Sequence, residues 1–309
     1  MSRYPEDILI SVLGTLGTAL HPYTAPLHRL ITSLIPHQLR HTSIPYFAAI
    51  RSRHAASLPL MNILDVLILV AAYLSAIAIG AAAMKHRPRI PARSLALCHN
   101  TAAVSLSAYM ALRIAAEAAS QGYSVFNNRV DESDAGVKMA KLIWLFYISK
   151  LSEFTDTAIM VLKKNARQIS FLHLYHHVSV LLVWWLVTYV APGGDAYFSA
   201  CLNSVVHVVM YGYYLLASLN VAAVAVVKPY ITVLQMTQFG LMLVQATYDS
   251  VVNAAHGWWD SADGYPLALS VVLLVYMLSM LALFANFFVQ DAKRRKRALA
   301  NGKPVAKTD

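Results

Sequence analysis

Three histidines within five residues, His173, His176 and His177, stand at i, i+3 and i+4, which on a helix puts them on one face. Upstream, Lys150, Glu153 and Asp156 recur every third residue, again along one helical face. Downstream, Asn203, His207, Tyr211 and Tyr214 follow at i, i+4, i+8 and i+11, and Thr232, Gln235 and Gln238 continue at steps of three. An imidazole that titrates near neutrality can act as nucleophile or general base. Asn203 and a neutral His207 are donors suited to a developing oxyanion. Glu153 and Asp156 can accept ring N–H bonds and so orient the histidines. Lys150, with Lys163 and Lys164 nearby, offers point charges to phosphate groups.

The elements that must carry these residues are apolar. Of 309 residues, 58% are hydrophobic and 13% charged, and the mean hydropathy is +0.52. That excludes a soluble domain, and several runs reach the roughly 20 residues a membrane-spanning helix needs. The expectation is an all-α polytopic membrane protein with seven transmembrane helices, over about 60–84, 95–118, 138–162, 170–190, 197–218, 229–252 and 265–289. The net charge of +10 does not imply nucleic acid, because the excess lies in short loops and a tail beside apolar segments.

Loop charges alternate. Lys85, Arg87, Arg89 and Arg93 follow the first span, and Asp131, Glu132 and Asp134 outnumber Arg129 after the second. Lys163, Lys164 and Arg167 follow the third, Asp195 the fourth, Lys228 the fifth, and Asp260 with Asp263 the sixth. The tail carries Lys293, Arg294, Arg295, Lys296 and Arg297. By the positive-inside rule the odd-numbered spans end in the cytosol, as does the C-terminus; Arg51 and Arg53, on the lumenal side, run against this order. The tail lacks a second lysine close to Lys307 for a dilysine retrieval signal.

Residues 1–57 read as a lumenal or interfacial segment, 58–290 as the seven-helix domain and 291–309 as a basic cytosolic tail. Ile8 to Leu20 is short for a span, and no A-x-A-like cleavage site follows. Leu27, Leu30, Ile31, Leu34 and Ile35 keep helical spacing opposite Arg29, Thr32 and Ser33, the pattern of an interfacial helix. The pair His37 and His41 reads as solvated, and Cys98 and Cys201, inside apolar runs, as small hydrophobes.

Glu153 and Asp156 then lie about 9–14 Å from the cytosolic end of their span, and the three clustered histidines within about 10 Å of the start of theirs. Ionisable groups at such depth normally face a cavity or a partner. Four helices aim polar groups at one zone and turn apolar toward the lumen, which describes a wet pocket continuing into a greasy tunnel. Individually, Tyr211, Tyr213 and Tyr214 read as packing residues, and Gln235 and Gln238 equally as glue between helices.

These residues also form motifs. Lys150-Leu-Ser-Glu153-Phe-Thr-Asp156-Thr157 matches KxxExxDT, His173 to His177 matches HxxHH, His207 to Tyr214 matches HxxMYxYY, and Thr232 to Gln238 matches TxxQxxQ. In this order they resemble the ELO family of very-long-chain fatty-acid elongases, over about residues 58–290. The resemblance implies a multi-pass endoplasmic-reticulum 3-ketoacyl-CoA synthase in which six helices enclose an acyl tunnel. Such an enzyme condenses a long acyl-CoA with malonyl-CoA, releasing carbon dioxide and coenzyme A, and uses no metal or other cofactor. It implies an acyl-imidazole on His176, assistance from His207 in the condensation, and membrane lipids and the reticulum's ketoacyl reductase, dehydratase and enoyl reductase as partners; a homodimer stays open.

Lys163 to His173, Leu58-Pro-Leu-Met-Asn62 and Trp184 to Phe198 are similar to fungal and algal polyunsaturated elongases of the Δ6 type, which extend C18 acyl chains to C20. An elongase of saturated or monounsaturated chains is the alternative. A membrane di-iron desaturase or hydroxylase needs about eight histidines in several boxes, more than HxxHH plus His207 provides. A seven-helix retinal protein needs a buried lysine in the last span, and Tyr265 to Gln290 contains none; a receptor has no use for the HxxHH cluster.

Overall fold

The computed structural model describes residues 4–34, 36–221, 226–257 and 264–300. Asp260, Asp263 and Lys307, and the side chains of His41, Arg294 and Arg295, lie outside the described residues. Among the described residues there are ten α-helices: α1 Pro5–Leu34, α2 His37–Ala49, α3 Ile63–Met84, α4 Arg93–Ser120, α5 Val137–Ser152, α6 Phe154–Leu162, α7 Phe171–Val190, α8 Ala196–Ser218, α9 Lys228–His256 and α10 Leu267–Ala300. No strand occurs among the described residues.

The helix boundaries follow local chemistry. Asn62 caps α3 by accepting from the Leu64 amide, and Ser170 caps α7 by accepting from that of His173. Gly257, at φ 69°, closes α9 in the left-handed conformation. Lys164 closes α6 in the same way at φ 55°, with the Asn165 amide returning to the Met160 carbonyl.

Six described helices are long and apolar enough to cross a membrane: α1, α3, α4, α7, α8 and the stretch Leu267–Lys293 of α10. Five coincide with expected spans. The expected third span instead breaks at Glu153 into α5 and α6. There the hydroxyls of Ser149 and Ser152 return to carbonyls three residues back, which competes with the regular ladder. The expected sixth span, α9, is diluted by Gln235, Gln238, Gln245, Asp249 and Asn253. Helix α1 is one continuous helix, not a short apolar run followed by a separate amphipathic one. It meets the other helices through Glu6 with Tyr109 of α4, Asp7 with Lys141 of α5, and His28 with Asp65 near the start of α3.

Helix α7 packs on α5, α5 on α4, α4 on α8, α8 on α9, α9 on α10 and α10 back on α7, which closes a ring of six. Helix α3 lies outside it against α6 and α7. Helix α5 is the most buried; Trp144, Phe146 and Tyr147 have no exposed surface. Trp144 Nε1 and Tyr147 Oη donate to the carbonyls of Pro59 and Leu60 at 3.0 and 3.1 Å, and Trp185 Nε1 to that of Met61 at 3.2 Å. Three amphipathic rings thus hold the segment that leads into α3.

The loops sort by charge. At one end, the Ile90 amide bonds the Leu162 carbonyl and Lys164 Nζ the Lys85 carbonyl, which gathers the basic loops. At the other end, Arg53 meets Asp134 at 2.8 Å and its amide meets Glu132, so the out-of-order arginine sits against the acidic loop that compensates it.

Candidate active site

The motif residues converge at the basic end of the ring in two layers. The outer one is built on α6 and α7. His173 Nε2 stands 2.7 Å from Thr157 Oγ1, which in turn stands 2.8 Å from Tyr73 Oη on α3. Asp156 uses one carboxylate oxygen for His99 Nε2 at 3.0 Å, from α4, and the other for Tyr211 Oη at 2.7 Å, from α8.

The inner layer lies deeper, about 14–18 Å from the end of α6. Lys150 Nζ donates to Glu153 Oε1 at 2.7 Å and to Asn203 Oδ1 at 3.1 Å, and it lies 4.1 Å from the Phe146 ring centre. His207 Nδ1 stands 3.4 Å from the same Glu153 oxygen. Asn203 is only seven residues into α8 from the opposite end, so the polar layer reaches mid-depth. Because an ammonium only donates, the contact fixes the Asn203 amide: its oxygen faces Lys150 and its N–H groups remain to donate.

The three clustered histidines meet edge to face, with ring centres 4.3 Å apart for His173 and His177 and 5.3 Å for His176 and His177. His176 lies within electrostatic reach of Glu153, His207 and Lys150. His177 is buried, and its Nδ1 has no partner among the described residues. The same holds for Gln238 Oε1, although Gln238 Nε2 contacts Met242 Sδ at 3.7 Å. Gln235 reaches across to Met210 of α8 at 3.5 Å, as a residue joining helices would.

Several expected pairings change. The carboxylates do not hold the HxxHH rings: a threonine holds His173, Asp156 serves His99 and Tyr211, and Glu153 lies against Lys150 and His207. Lys150 is 1% exposed and ion-paired, so it does not stand open to phosphates, whereas Lys163 is half-buried and Lys164 exposed where α6 ends. Tyr211 is 2% exposed with its hydroxyl engaged, while Tyr214 is 42% exposed with its ring 6.0 Å from that of Tyr211. The Cys201 thiol turns to the Ala111 carbonyl on α4.

Nor does the interior turn uniformly apolar away from the site. Between α7, α8, α9 and α10 lies a cavity of about 30 Å³, lined by Trp184, Met242, Leu273 and Met277 but also by Asp195, Asp249 and Tyr265. Asp195, expected as a loop charge, is 3% exposed and accepts from the Asn128 amide and side chain at 2.9 and 2.6 Å. Sequence reasoning missed Tyr73, His99 and the role of Thr157. A signal existed for His99, since Cys98-His99-Asn100 interrupts an apolar run with two polar side chains.

Comparison with known proteins agrees with the motifs. The family model described as ELO: GNS1/SUR4 family matches residues 58–300. The chain is 42% identical over 245 residues to a Leishmania major protein named fatty acid elongase 6, a match covering 77% of this chain and 63% of that one. It is 34% identical over 252 residues to very long chain fatty acid elongase 2 of Mus musculus, covering 79% and 83%. It is 33% identical over 256 residues to very long chain fatty acid elongase 5 of Xenopus tropicalis, covering 79% and 82%.

Proposed function

Because the chain belongs to the ELO (GNS1/SUR4) family, and is thereby a fatty-acid elongase, a very-long-chain 3-oxoacyl-CoA synthase acting on acyl-CoA and malonyl-CoA, we propose that the acyl group passes through His176. We propose further that the acyl group is a polyunsaturated C18 chain of the Δ6 type. The observation that supports the histidine route is the placement of His176. It adjoins His177 inside the ring and lies within reach of Glu153, His207 and Lys150.

In this mechanism His176 attacks the thioester carbonyl, and the coenzyme A thiolate leaves with the imidazole proton. Malonyl-CoA then loses carbon dioxide, and the enolate carbon attacks the acyl-imidazole, forming the new carbon–carbon bond and expelling the imidazole, which takes up a proton from water at the cytosolic mouth to restore His176. Two coenzyme A esters need not share one mouth, because the first has gone before the second arrives. His177 and His173 steady the nucleophile, and the Asn203 N–H groups with His207 receive the enolate oxygen. Lys150 stays paired with Glu153 beside His207, which leaves phosphate attraction to Lys163 and Lys164. Gln238, Gln235, Tyr211 and Tyr214 line the approach. The interior of the six-helix ring takes the tail and shields the acyl-imidazole from water.

The basic end faces the cytosol and the C-terminus lies there, in the endoplasmic-reticulum membrane, by the positive-inside rule and the family's setting. The product, a 3-ketoacyl-CoA, passes to a ketoacyl reductase, a dehydratase and an enoyl reductase. No cofactor beyond the two thioesters enters the reaction.

Purified protein given acyl-CoA alone tests the nucleophile. About one coenzyme A per active site is released and the peptide containing His176 gains the acyl mass, while His176→Ala does neither. Undiminished release by that variant overturns the assignment. Expression in a yeast lacking polyunsaturated acids, fed single fatty acids, tests the substrate. Elongation of Δ6-unsaturated C18 acids is expected, and extension of only saturated or monounsaturated acids overturns the subclass.

A further inference from the structure

We propose that His99, on a helix that carries none of the four motifs, is a positioning residue for the condensation, acting through Asp156 and Tyr211 on His207. This rests on the elongase reading of the site.

The geometry forms a chain. The His99 side chain is 7% exposed and its Nε2 lies 3.0 Å from Asp156 Oδ1. With the carboxylate oxygen as acceptor, Nε2 carries the hydrogen. The second Asp156 oxygen accepts the Tyr211 hydroxyl at 2.7 Å. A carboxylate gripped at both oxygens has one orientation, and that orientation fixes the phenol. The Tyr211 ring is held from two sides, edge-on to His99 at 5.7 Å and to His207 at 5.5 Å between ring centres. The His207 ring is thus braced on one side by Glu153 and on the other by a tyrosine whose position traces back to α4.

A simple clip between helices would predict something else. A clip contributes to stability alone, and its loss lowers the folded fraction without changing turnover per folded molecule. A positioning role predicts slower chemistry at unchanged substrate affinity, and recovery when the donor is restored. Glutamine offers an amide N–H close to the place of Nε2, while phenylalanine keeps the ring volume and removes the donor.

The test uses the full chain in detergent or nanodiscs, with acyl-CoA and malonyl-CoA turnover referred to folded protein. His99→Phe is expected to lower kcat about 10- to 100-fold, the scale on which small misplacements act, with both KM values within about twofold. His99→Gln is expected to stay within about threefold of wild type. Wild-type kcat per folded His99→Phe molecule overturns the proposal, and so does equal impairment by Phe and Gln. If His99→Phe does not fold, the decision passes to Tyr211→Phe alone and combined with His99→Ala, which also removes the donor. A relay predicts that the double variant is no slower than Tyr211→Phe, and additive losses overturn it. Absence of turnover in wild type itself overturns the elongase reading and this inference together, whereas the variant outcomes bear on His99 alone.

Discussion

Lys150 Nζ donates to Asn203 Oδ1 at 3.1 Å, which joins two residues 53 positions apart and ties the most buried helix of the ring to α8. The same ammonium holds Glu153 at 2.7 Å with almost no exposed surface on either partner. Removing one member of such a pair strands a buried charge. Lys150→Met is expected to destabilise the protein by about 3–5 kcal/mol and abolish turnover. Lys150→Met combined with Glu153→Gln should melt above the single variant while remaining inactive. Thermal unfolding in detergent measures the first effect and turnover the second.

Thr157 serves His173 and Tyr73 at once with one hydroxyl and has no exposed surface. Thr157→Val keeps the volume and leaves both partners short of a bond, at about 1–3 kcal/mol each. Thr157→Ser keeps the bond. The valine variant is expected to lose both stability and kcat, and the serine variant to resemble wild type in turnover. Equal behaviour of the two would remove Thr157 from the site.

Gly136 opens α5 with no room for a side chain, since an added Cβ would lie 1.8 Å from the Asp131 carbonyl oxygen. Gly122 has a left-handed backbone at φ +67° but open space around it. Gly136→Ala is therefore expected to prevent accumulation of folded protein, whereas Gly122→Ala costs only about 1–2 kcal/mol of backbone strain. Fluorescence-detected size exclusion of tagged variants separates the two.

Asp195 lies in the loop between α7 and α8, where burial holds its carboxyl above the usual carboxylate range. It binds its proton more tightly folded than unfolded, so its contribution is full below the ordinary value and is lost as pH rises through the folded one. Asp195→Asn keeps the acceptor for Asn128 and removes that titration. The variant is expected to melt higher than wild type at pH 7 and to show a flatter slope from pH 4 upward. A steeper slope would refute the assignment.

What the sequence makes legible here is periodic. The three-residue step of Lys150, Glu153 and Asp156 and the HxxHH face recur in the structure as layers, and the basic loops after α3 and α6 meet at one end. Choice of neighbour is not periodic, and there the expectations fail. Helical spacing shows that Asp156 and His173 share a zone, but not that α4 brings His99 to Asp156 and leaves Thr157 to His173. Glu153 marks a break because two serines upstream bond backward, a contest between local hydrogen bonds that apolar periodicity does not register. Asp195 resembled a surface charge because its cover, Asn128 and α9, is remote in sequence.

The pairing of Lys150 with Glu153 also bears on how the protein enters the bilayer. A lone charged residue at the centre of an inserting helix costs about 2.5–3.5 kcal/mol, and this segment carries three, Lys150, Glu153 and Asp156, of which the first two pair with each other. These two stand three positions apart on one continuous stretch, so each neutralises the other while the segment is still alone in the translocon. The pairing therefore lowers the cost of inserting α5 and α6 before α8 is made. The contacts of this segment with Asn203, His207 and Tyr211 depend on a helix synthesised some 50 residues later, and the order of biogenesis follows the order in which these bonds become available.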